Sequence, residues 1–185
     1  PRSTLFPYTT LFRSGLAVEA GDQVNAFAQI GHRLVGILAA TASGDIDISS
    51  DGGLTLLGGN ALQAFAQIGH GGIMASASGI GGNIQVSVAD DITAISGLGG
   101  SAYSQIGHGG TFTDAAMQGD IAIDSGGAIE LRSLNSPMAS YAKFGHGDDL
   151  RGVLAPQGGT GTRDGNIVVS SVSDFTLETA LVGHV

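Results

Sequence analysis

The sequence has few of the residue types on which binding and catalytic sites commonly depend. Among its 185 residues there is no cysteine and no tryptophan, and Lys143 is the only lysine. The lack of cysteine excludes disulfides and thiolate metal sites. Seven basic residues face 16 acidic ones, and the formal net charge of −9 argues against nucleic acid and anionic membranes as partners. No apolar run approaches the ~20 residues of a membrane span, so we expect none.

Helical signals are missing as well. No segment combines a sustained 3.6-residue apolar period with capping residues, so we expect very little helix. Glycine is abundant (32 residues) and proline is scarce (4 residues). Because the glycines follow no G-X-Y period, the composition does not indicate collagen.

What the sequence does contain is a repeat of 38 residues, marked by the only histidines of the chain: His32, His70, His108, His146 and His184. A motif of aromatic, small, Gln, aliphatic, Gly and His ends at each of the first three. The fourth copy has Lys143 in place of Gln, and the fifth is degenerate. A fixed period of this length indicates stacked structural repeats.

Two further short segments recur in each period. One begins Gly-Asp/Asn-Ile, as at Gly44–Ile46, and the other is an alternating apolar stretch such as Leu54–Leu56. Alternation with period 2 between turn residues is typical of strands. We therefore predict an all-β parallel β-solenoid with three short strands per coil. It is expected to span residues 15–185 in about four and a half coils, and to be uncapped at both ends.

The first fourteen residues, PRSTLFPYTTLFRS, show no counterpart one period later. The string TLFPYTTLFRS resembles the conceptual translation of a high-throughput sequencing adapter. We interpret residues 1–14 as a non-native, disordered segment, and the chain as a fragment of a longer product. Two open coil edges would then favour self-association of the isolated chain.

The histidines are expected to form a ladder with ~4.8 Å between coils. The structural interpretation is that each ring hydrogen-bonds a backbone carbonyl of a neighbouring coil. Two functional alternatives remain. A row of imidazoles would repel itself when protonated and respond to pH, or it would bind metal, although a zinc site requires converging ligands. We predict no metal site and no cofactor.

The residues before each histidine form two further ladders. The aromatic and glutamine positions share one strand face, which we expect to point outward because glutamine is polar. The alternating Ala and Ile positions are expected to point inward. The interpretation is structural stacking, with a carbohydrate platform or partner stripe as the alternative. The positions are Phe27, Phe65, Tyr103 and Tyr141, with Gln29, Gln67 and Gln105.

Acidic residues give weaker signals. Asp45, Asn83, Asp120 and Asn166 share one repeat position and suit turns. The acidic pairs Asp90-Asp91 and Asp148-Asp149 are adjacent in sequence, so their side chains diverge on a strand, and we predict no catalytic residue. The insertion from Gly147 to Asp164 breaks the pattern and is a possible binding loop. Its charged residues are Asp148, Asp149, Arg151, Arg163 and Asp164.

The repeats of the form A-Y/F-A-Q-I-G-H-G-G followed by G-D-I resemble those of filamentous haemagglutinin-like and autotransporter-type bacterial adhesins, best at Phe65–Gly72 and Tyr103–Gly110. This resemblance implies a right-handed parallel β-helix that is secreted to the bacterial surface. It also implies partners among host-cell or extracellular proteins and glycans. Arg33 and Leu34, where two glycines are expected, depart from the pattern.

The leading hypothesis is therefore a non-enzymatic, stiff adhesive rod. One alternative is a β-helix carbohydrate-active enzyme such as a lyase, which would need polar residues converging in one groove. The other is a rod that responds to pH or metal through its histidines.

Overall fold

The computed structural model describes residues 9–34, 36–37, 41–134, 140–147 and 161–182. Within these residues the chain is all-β, without a helix. Its strands are β1 Thr9–Phe12, β2 Leu16–Glu19, β3 Phe27–Ile30, β4 Gly36–Ile37, β5 Thr41–Ser43, β6 Ile46–Ser50, β7 Leu54–Leu57, β8 Phe65–Ile68, β9 Ala75–Ser76, β10 Gly79–Gly81, β11 Ile84–Val88, β12 Ile92–Ile95, β13 Ser104–Ile106, β14 Met117–Gln118, β15 Ile121–Ser125, β16 Ile129–Arg132, β17 Ala142–Phe144, β18 Arg163–Asp164, β19 Ile167–Ser171, β20 Phe175–Glu178 and β21 Leu181–Val182.

The strands stack into parallel sheets, and this confirms the predicted β-solenoid. Sheet A contains β1, β6, β11, β15 and β19; sheet B contains β2, β7, β12, β16 and β20; sheet C contains β3, β8, β13, β17 and β21. In each of these, three strands have a neighbour on both sides. About three turns are thus fully stacked, slightly fewer than the expected four and a half coils.

Each turn contains more than the three predicted strands. A fourth sheet, sheet D, contains β5, β10, β14 and β18, and β4 pairs with β9 in a short fifth sheet. These strands lie between the histidine of one motif and the glycine that precedes the next sheet A strand. We call this excursion the side lobe (33–34, 36–37, 41–43, 71–81, 109–118 and 161–164) and the three sheets A to C the body.

The spacing between stacked residues shows how the repeat tolerates length changes. Ile46 pairs with Ile84 at a step of 38 residues, Ile84 with Ile121 at a step of 37, and Ile121 with Ile167 at a step of 46. Because the insertion lies outside the body, the longer last step leaves sheet A in register.

The first described strand differs from the sequence expectation. β1 pairs in parallel with β6 one period later, with Thr9 beside Asp47, and Phe12 packs against the main core. Thr9–Phe12 thus forms an edge strand within the segment that was expected to be disordered, and its threonines and phenylalanine are residue types enriched in strands. The adapter origin of the segment stays a prediction.

The main core fills the body. Alternate residues of sheets A and B point inward, as at Ile46, Ile48, Leu54 and Leu56, and all four are buried. Sheet C differs because β8 is buried along its whole length. Ala66 and Ile68 face the main core, whereas Phe65 belongs to a separate cluster with Tyr103, Tyr141 and Ile73 on the other face.

Glycine is required where sheet C ends. Gly69 has φ +148°, and a Cβ built there would collide with the carbonyl oxygen of Gly107 in the next turn. Gly31, Gly107 and Gly145 have similar positive φ angles. The glycine before each histidine is therefore fixed both by backbone conformation and by the close approach of the turns.

One buried hydroxyl in the core has no partner. Ser104 is fully buried on the inward face of β13, and its Oγ makes no hydrogen bond. It stacks between Ala66 and Ala142. Since an unsatisfied buried polar group costs about 1–3 kcal/mol, we expect Ser104→Ala to raise the free energy of unfolding by about 1 kcal/mol, measured by urea denaturation.

Ser125→Ala is the matched control. Ser125 is equally buried, but its Oγ donates to the Asp90 carbonyl over 2.8 Å and accepts from the Gly127 N–H. This substitution should lower the free energy of unfolding by a similar amount. A stabilisation or destabilisation common to both variants would contradict the assignment.

Candidate functional site

The histidines form a continuous stack along the solenoid. The ring centroids of His32, His70, His108 and His146 are 4.7, 5.0 and 4.8 Å apart in succession. The rings are nearly parallel, at interplanar angles of 23°, 5° and 1°. His184 lies outside the described residues. The predicted ladder thus contains at least four members, each placed at the end of sheet C.

Both nitrogens of the inner rings are engaged. The backbone N–H of His70 donates to Nδ1 of His108, 3.0 Å away, and Nε2 of His108 lies 2.8 Å from the Gly82 carbonyl oxygen. The same pair of contacts links His70 to His32 and Gly44, and His146 to His108 and Gly119. Because Nδ1 accepts, the proton belongs on Nε2 and the ring is neutral.

The surroundings hold the inner rings in that neutral form. Burial lowers the pKa of His108 to about 3, against the opposing effect of the Gly82 hydrogen bond, and the neighbouring rings lower the pKa further. Burial likewise lowers the pKa of His70 from its ordinary value of 6.5. Two imidazolium ions at this spacing would repel by roughly 3–4 kcal/mol at an effective dielectric constant of 20.

This geometry does not favour metal binding at the inner rings. A histidine ligand needs a free ring nitrogen, and in His70, His108 and His146 both nitrogens already have protein partners. Among the described residues there is also no group of three or more His, Asp or Glu side chains that would hold a metal ion. The arrangement instead ties one turn to the next and closes the base of the side lobe.

The aromatic and glutamine ladders lie on the face of sheet C that points away from the main core, as predicted, but this face is not exposed to solvent. Phe65, Tyr103, Gln67 and Gln105 are at most 1% exposed, because the side lobe folds back over the outer face of sheet C. The polar glutamines suggested a solvent-facing strand, but their hydrogen bonds to the next turn make burial favourable. Phe27, in the first turn, is 42% exposed.

The aromatic rings also do not form a carbohydrate platform. The rings of Phe27, Phe65, Tyr103 and Tyr141 stack on each other with centroid distances of 5.7, 4.7 and 5.0 Å. Sugars pack on exposed ring faces, and here each inner face is covered by another ring. The outer face of Phe27 is covered by Arg33, whose guanidinium carbon lies 3.8 Å from the ring centroid.

Each buried glutamine connects two turns through its amide group. Nε2 of Gln67 donates to the carbonyls of Gly107 and Gly109 in the next turn. Its Oε1 accepts from the Tyr103 hydroxyl over 3.3 Å. Gln105 repeats this pattern with Gly145, Gly147 and Tyr141. The sequence contains a signal for this pairing, since the motif that follows Gln67 has tyrosine, Tyr103, at its aromatic position, and the motif that follows Gln105 has Tyr141.

The two ends of the glutamine ladder deviate. Gln29 donates to Gly69, but its Oε1 has no partner because the residue above it is Phe65 rather than tyrosine. In the fourth turn Lys143 takes the glutamine position; it is fully buried, and its Nζ donates to the His146 carbonyl over 2.7 Å.

The acidic residues also have structural roles. The backbone N–H of Asn83 donates to Asp45, that of Asp120 to Asn83, and that of Asn166 to Asp120. The Asp91 carboxylate accepts from the Ala128 N–H. Asp90 is exposed beside it. Each of these bonds joins consecutive turns at a corner.

Only part of the candidate binding loop, Gly147 and residues 161–164, lies within the described residues. Asp148, Asp149 and Arg151 lie outside the described residues. Arg163 and Asp164 are not loop residues, because they form β18 and extend sheet D beside Met117 and Gln118. Sequence analysis placed them in the insertion, since a two-residue strand carries almost no periodic signal.

Two shallow depressions lie on the described surface. One covers sheet D and is lined by uncharged residues, among them Thr41, Ser43, Ser78 and Gln118. The other lies over sheet A and contains a single titratable group, Asp124, whose Oδ1 accepts from the Ser170 hydroxyl over 2.5 Å. Neither depression brings together an acid and a base.

Comparison with protein-family models, with curated proteins and with solved structures gives no match to this chain. In the part of the chain that the structure describes, no helix has the length and apolar character needed to cross a membrane.

The unpartnered Oε1 of Gln29 gives a direct test of the glutamine ladder. Phe65→Tyr would place a hydroxyl where Tyr103 and Tyr141 have theirs, and should raise the free energy of unfolding by about 1 kcal/mol. Tyr103→Phe, the reciprocal control, should lower it by a similar amount because Oε1 of Gln67 loses a donor. Thermal and urea unfolding measure both, and a destabilised Phe65→Tyr variant would refute the arrangement.

The histidine stack makes a prediction about ring protonation. Because burial lowers the pKa of His108 to about 3, its ring should remain neutral, with hydrogen on Nε2, from pH 8 to pH 5.5. Long-range ¹H–¹⁵N spectra measure this directly, and the urea-unfolded chain serves as the control, with a midpoint near 6.5. A His108 midpoint near 6.5 in the folded protein would exclude the hydrogen-bond scheme.

Proposed function

We propose that this chain is a rod segment of a secreted bacterial surface adhesin, without enzymatic activity. The observation that carries the proposal is the commitment of the repeated polar groups to neighbouring turns. The inner histidines, the buried glutamines and the Asp/Asn corners all bond along the solenoid axis. A chain built this way extends by adding turns and resists bending, which suits a spacer.

The distribution of polar groups supports this role over the enzymatic alternative. A lyase needs acid and base groups converging in one groove. The described depressions lack such a set, and the polar residues recur evenly by period instead. Repeated identical surfaces favour many weak contacts, and such contacts gain strength through multivalency.

Adhesion is tested with beads. The chain lacks cysteine, so one cysteine appended at the C-terminus attaches every molecule in the same orientation. Retention under flow is counted on cultured epithelial cells and on surfaces coated with matrix protein or mucin. Folded chain is expected to hold beads at least ten times more often than beads coated with an unrelated acidic protein, because many weak contacts act together.

Two controls define the outcome. Periodate or protease treatment of the cells distinguishes glycan from protein partners. The Gly107→Val variant should fail to stack, since a side chain there meets the Gly145 carbonyl, and it tests whether binding needs the folded rod. Retention equal to that of the unrelated protein on every surface would reject the adhesive function and leave only the rod.

A further inference from the structure

The side lobe and the body have separate hydrophobic clusters. The body encloses large aliphatic residues from all three of its sheets. The lobe cluster consists of Leu34, Ala42, Ala75, Ile80, Ala115 and Met117, with Ala77 beside it. Half of its buried members are alanines, so the interior of the lobe itself holds little apolar surface, and the large rings that it covers, Phe65, Tyr103 and Tyr141, belong to sheet C. Regions with few buried apolar contacts open at lower cost than the rest of a fold.

The histidine stack lies where the lobe joins the body. Each of the first three lobe segments begins directly after a histidine and ends before the glycine whose carbonyl faces an imidazole of the next turn. His70 reaches Gly44 in this way, His108 reaches Gly82, and His146 reaches Gly119. One ring thus fixes both ends of a lobe segment, since its Nδ1 bonds the start and its Nε2 bonds the end.

Protonation is incompatible with this contact. A proton on Nδ1 would convert this acceptor into a donor. It would then face the backbone N–H, which is also a donor, and the hydrogen bond would be lost. The stack repeats the same contact in three successive turns, and the rings are only 4.7–5.0 Å apart. A charge on one ring therefore opposes a charge on the next.

The charged groups next to the stack do not compensate. Arg33 follows His32 and lies over Phe27, and Lys143 donates to the His146 carbonyl. Both are cations and oppose a further positive charge. Asp45 and Asp120 follow the acceptor glycines, but their carboxylates accept backbone N–H groups of the next turn.

The same region in the last described turn carries two further charged residues. Arg163 and Asp164 form β18, directly before Gly165, and the Asp164 carboxylate accepts from the Gly165 N–H. These groups lie one turn beyond the His146 contact with Gly119.

We infer that the histidine stack is an acid-sensitive latch, which releases the side lobe from sheet C while the three-sheet body stays folded. Release would uncover the outer face of sheet C, where Phe65, Tyr103, Gln67 and Gln105 are now buried. In acid, and only there, the rod would expose a surface stripe formed by these aromatic rings and glutamine side chains. This inference does not depend on the adhesive function.

The direction and size of the response follow from linkage. The folded pKa of His108 is lowered, so its stabilisation is complete above the unfolded value of about 6.5 and declines as the pH falls toward about 3. Between pH 7.5 and 4.5, His108 alone shifts the opening equilibrium by about a hundredfold. His70, whose pKa is also lowered, adds to this factor.

The test uses single thiols in a chain that has none. Ala75→Cys places a thiol in the lobe cluster, and Ala94→Cys places one in the body, with both positions at most 1% exposed. Labelling by 4,4′-dithiodipyridine, which reacts in acid, is followed at pH 7.5 and 4.5 and divided by the rate of a free thiol. Circular dichroism at each pH verifies that the strands persist.

We expect the corrected rate for the Ala75→Cys variant to rise about a hundredfold in acid, and that of the Ala94→Cys variant to stay constant. Equal acceleration at both positions would mean global unfolding, and no acceleration would mean no latch; either result overturns the inference. Adding His70→Gln and His108→Gln to the Ala75→Cys variant should raise the rate at pH 7.5 and abolish most of its acid response. A full acid response without these histidines also overturns the inference, and the comparison of the two thiols stands even if that variant does not fold.

Discussion

The hydrogen bond between one turn and the next is the interaction on which the rest of this structure depends. Within the solenoid a buried amide or imidazole finds its partner about 38 residues away, as His70 does in His108 and Gln67 does in Gly107. A buried polar group without a partner costs more than a hydrogen bond contributes. The chain must therefore repeat its chemistry with the period of the turn, or leave groups unsatisfied.

The side lobe follows from this constraint. A strand face that carries glutamine is solvent-facing in most sheets, but Gln67 and Gln105 can be buried because carbonyls of the next turn accept from them. Covering that face removes Phe65 and Tyr103 from water, which is favourable for large apolar rings. Sheet C thus becomes a wall between two cores, and the excursion from His70 to Gly82 is needed to form the second one.

The period of 38 residues allowed most of the body to be predicted. The alternation at Leu54–Leu57 and the glycine before each histidine identified strands and corners. The burial of the outer face of sheet C was missed because the polarity of Gln67 was judged without its hydrogen-bond partners, which belong to the next turn and are not visible in the local sequence pattern. The lobe strands were missed because two-residue strands such as β9 have no measurable periodicity. β1 was excluded because its composition is foreign to the repeat, and its sequence, TTLF, has no period-2 alternation that would have indicated a strand.

The histidine ladder was recognised by spacing, yet its chemistry required the fold. Sequence alone left structural, metal and pH interpretations open, since all three need rings at one repeat position. The contacts of Nε2 with Gly44 and Gly82 join two motifs that are 26 residues apart along the chain. That distance depends on how the lobe returns to the body, so it cannot be read from the period.

Stacking identical turns creates an electrostatic problem that the sequence solves position by position. A charge at a repeated position would meet its own copy at ~4.8 Å in every turn. In the described strand pairs of sheets A and B no acid is paired with an acid. Asp124 lies between Ser87 and Ser170, and Glu130 lies between Thr93 and Thr176.

Where a polar residue type does repeat in every turn, it is either uncharged or it alternates with an uncharged residue. Asp alternates with Asn at the corner that includes Asp45 and Asn83, and the buried ladder uses glutamine, with a lysine once, at Lys143. The inner histidines belong to this rule only while they are uncharged. A net charge of −9 is therefore compatible with a long stack, because neither in the described strand pairs of sheets A and B nor at the corner of Asp45 and Asn83 does an acid follow an acid in the next turn. The repeated, titratable histidine is the exception, and it is the one repeated residue whose charge depends on pH near neutrality.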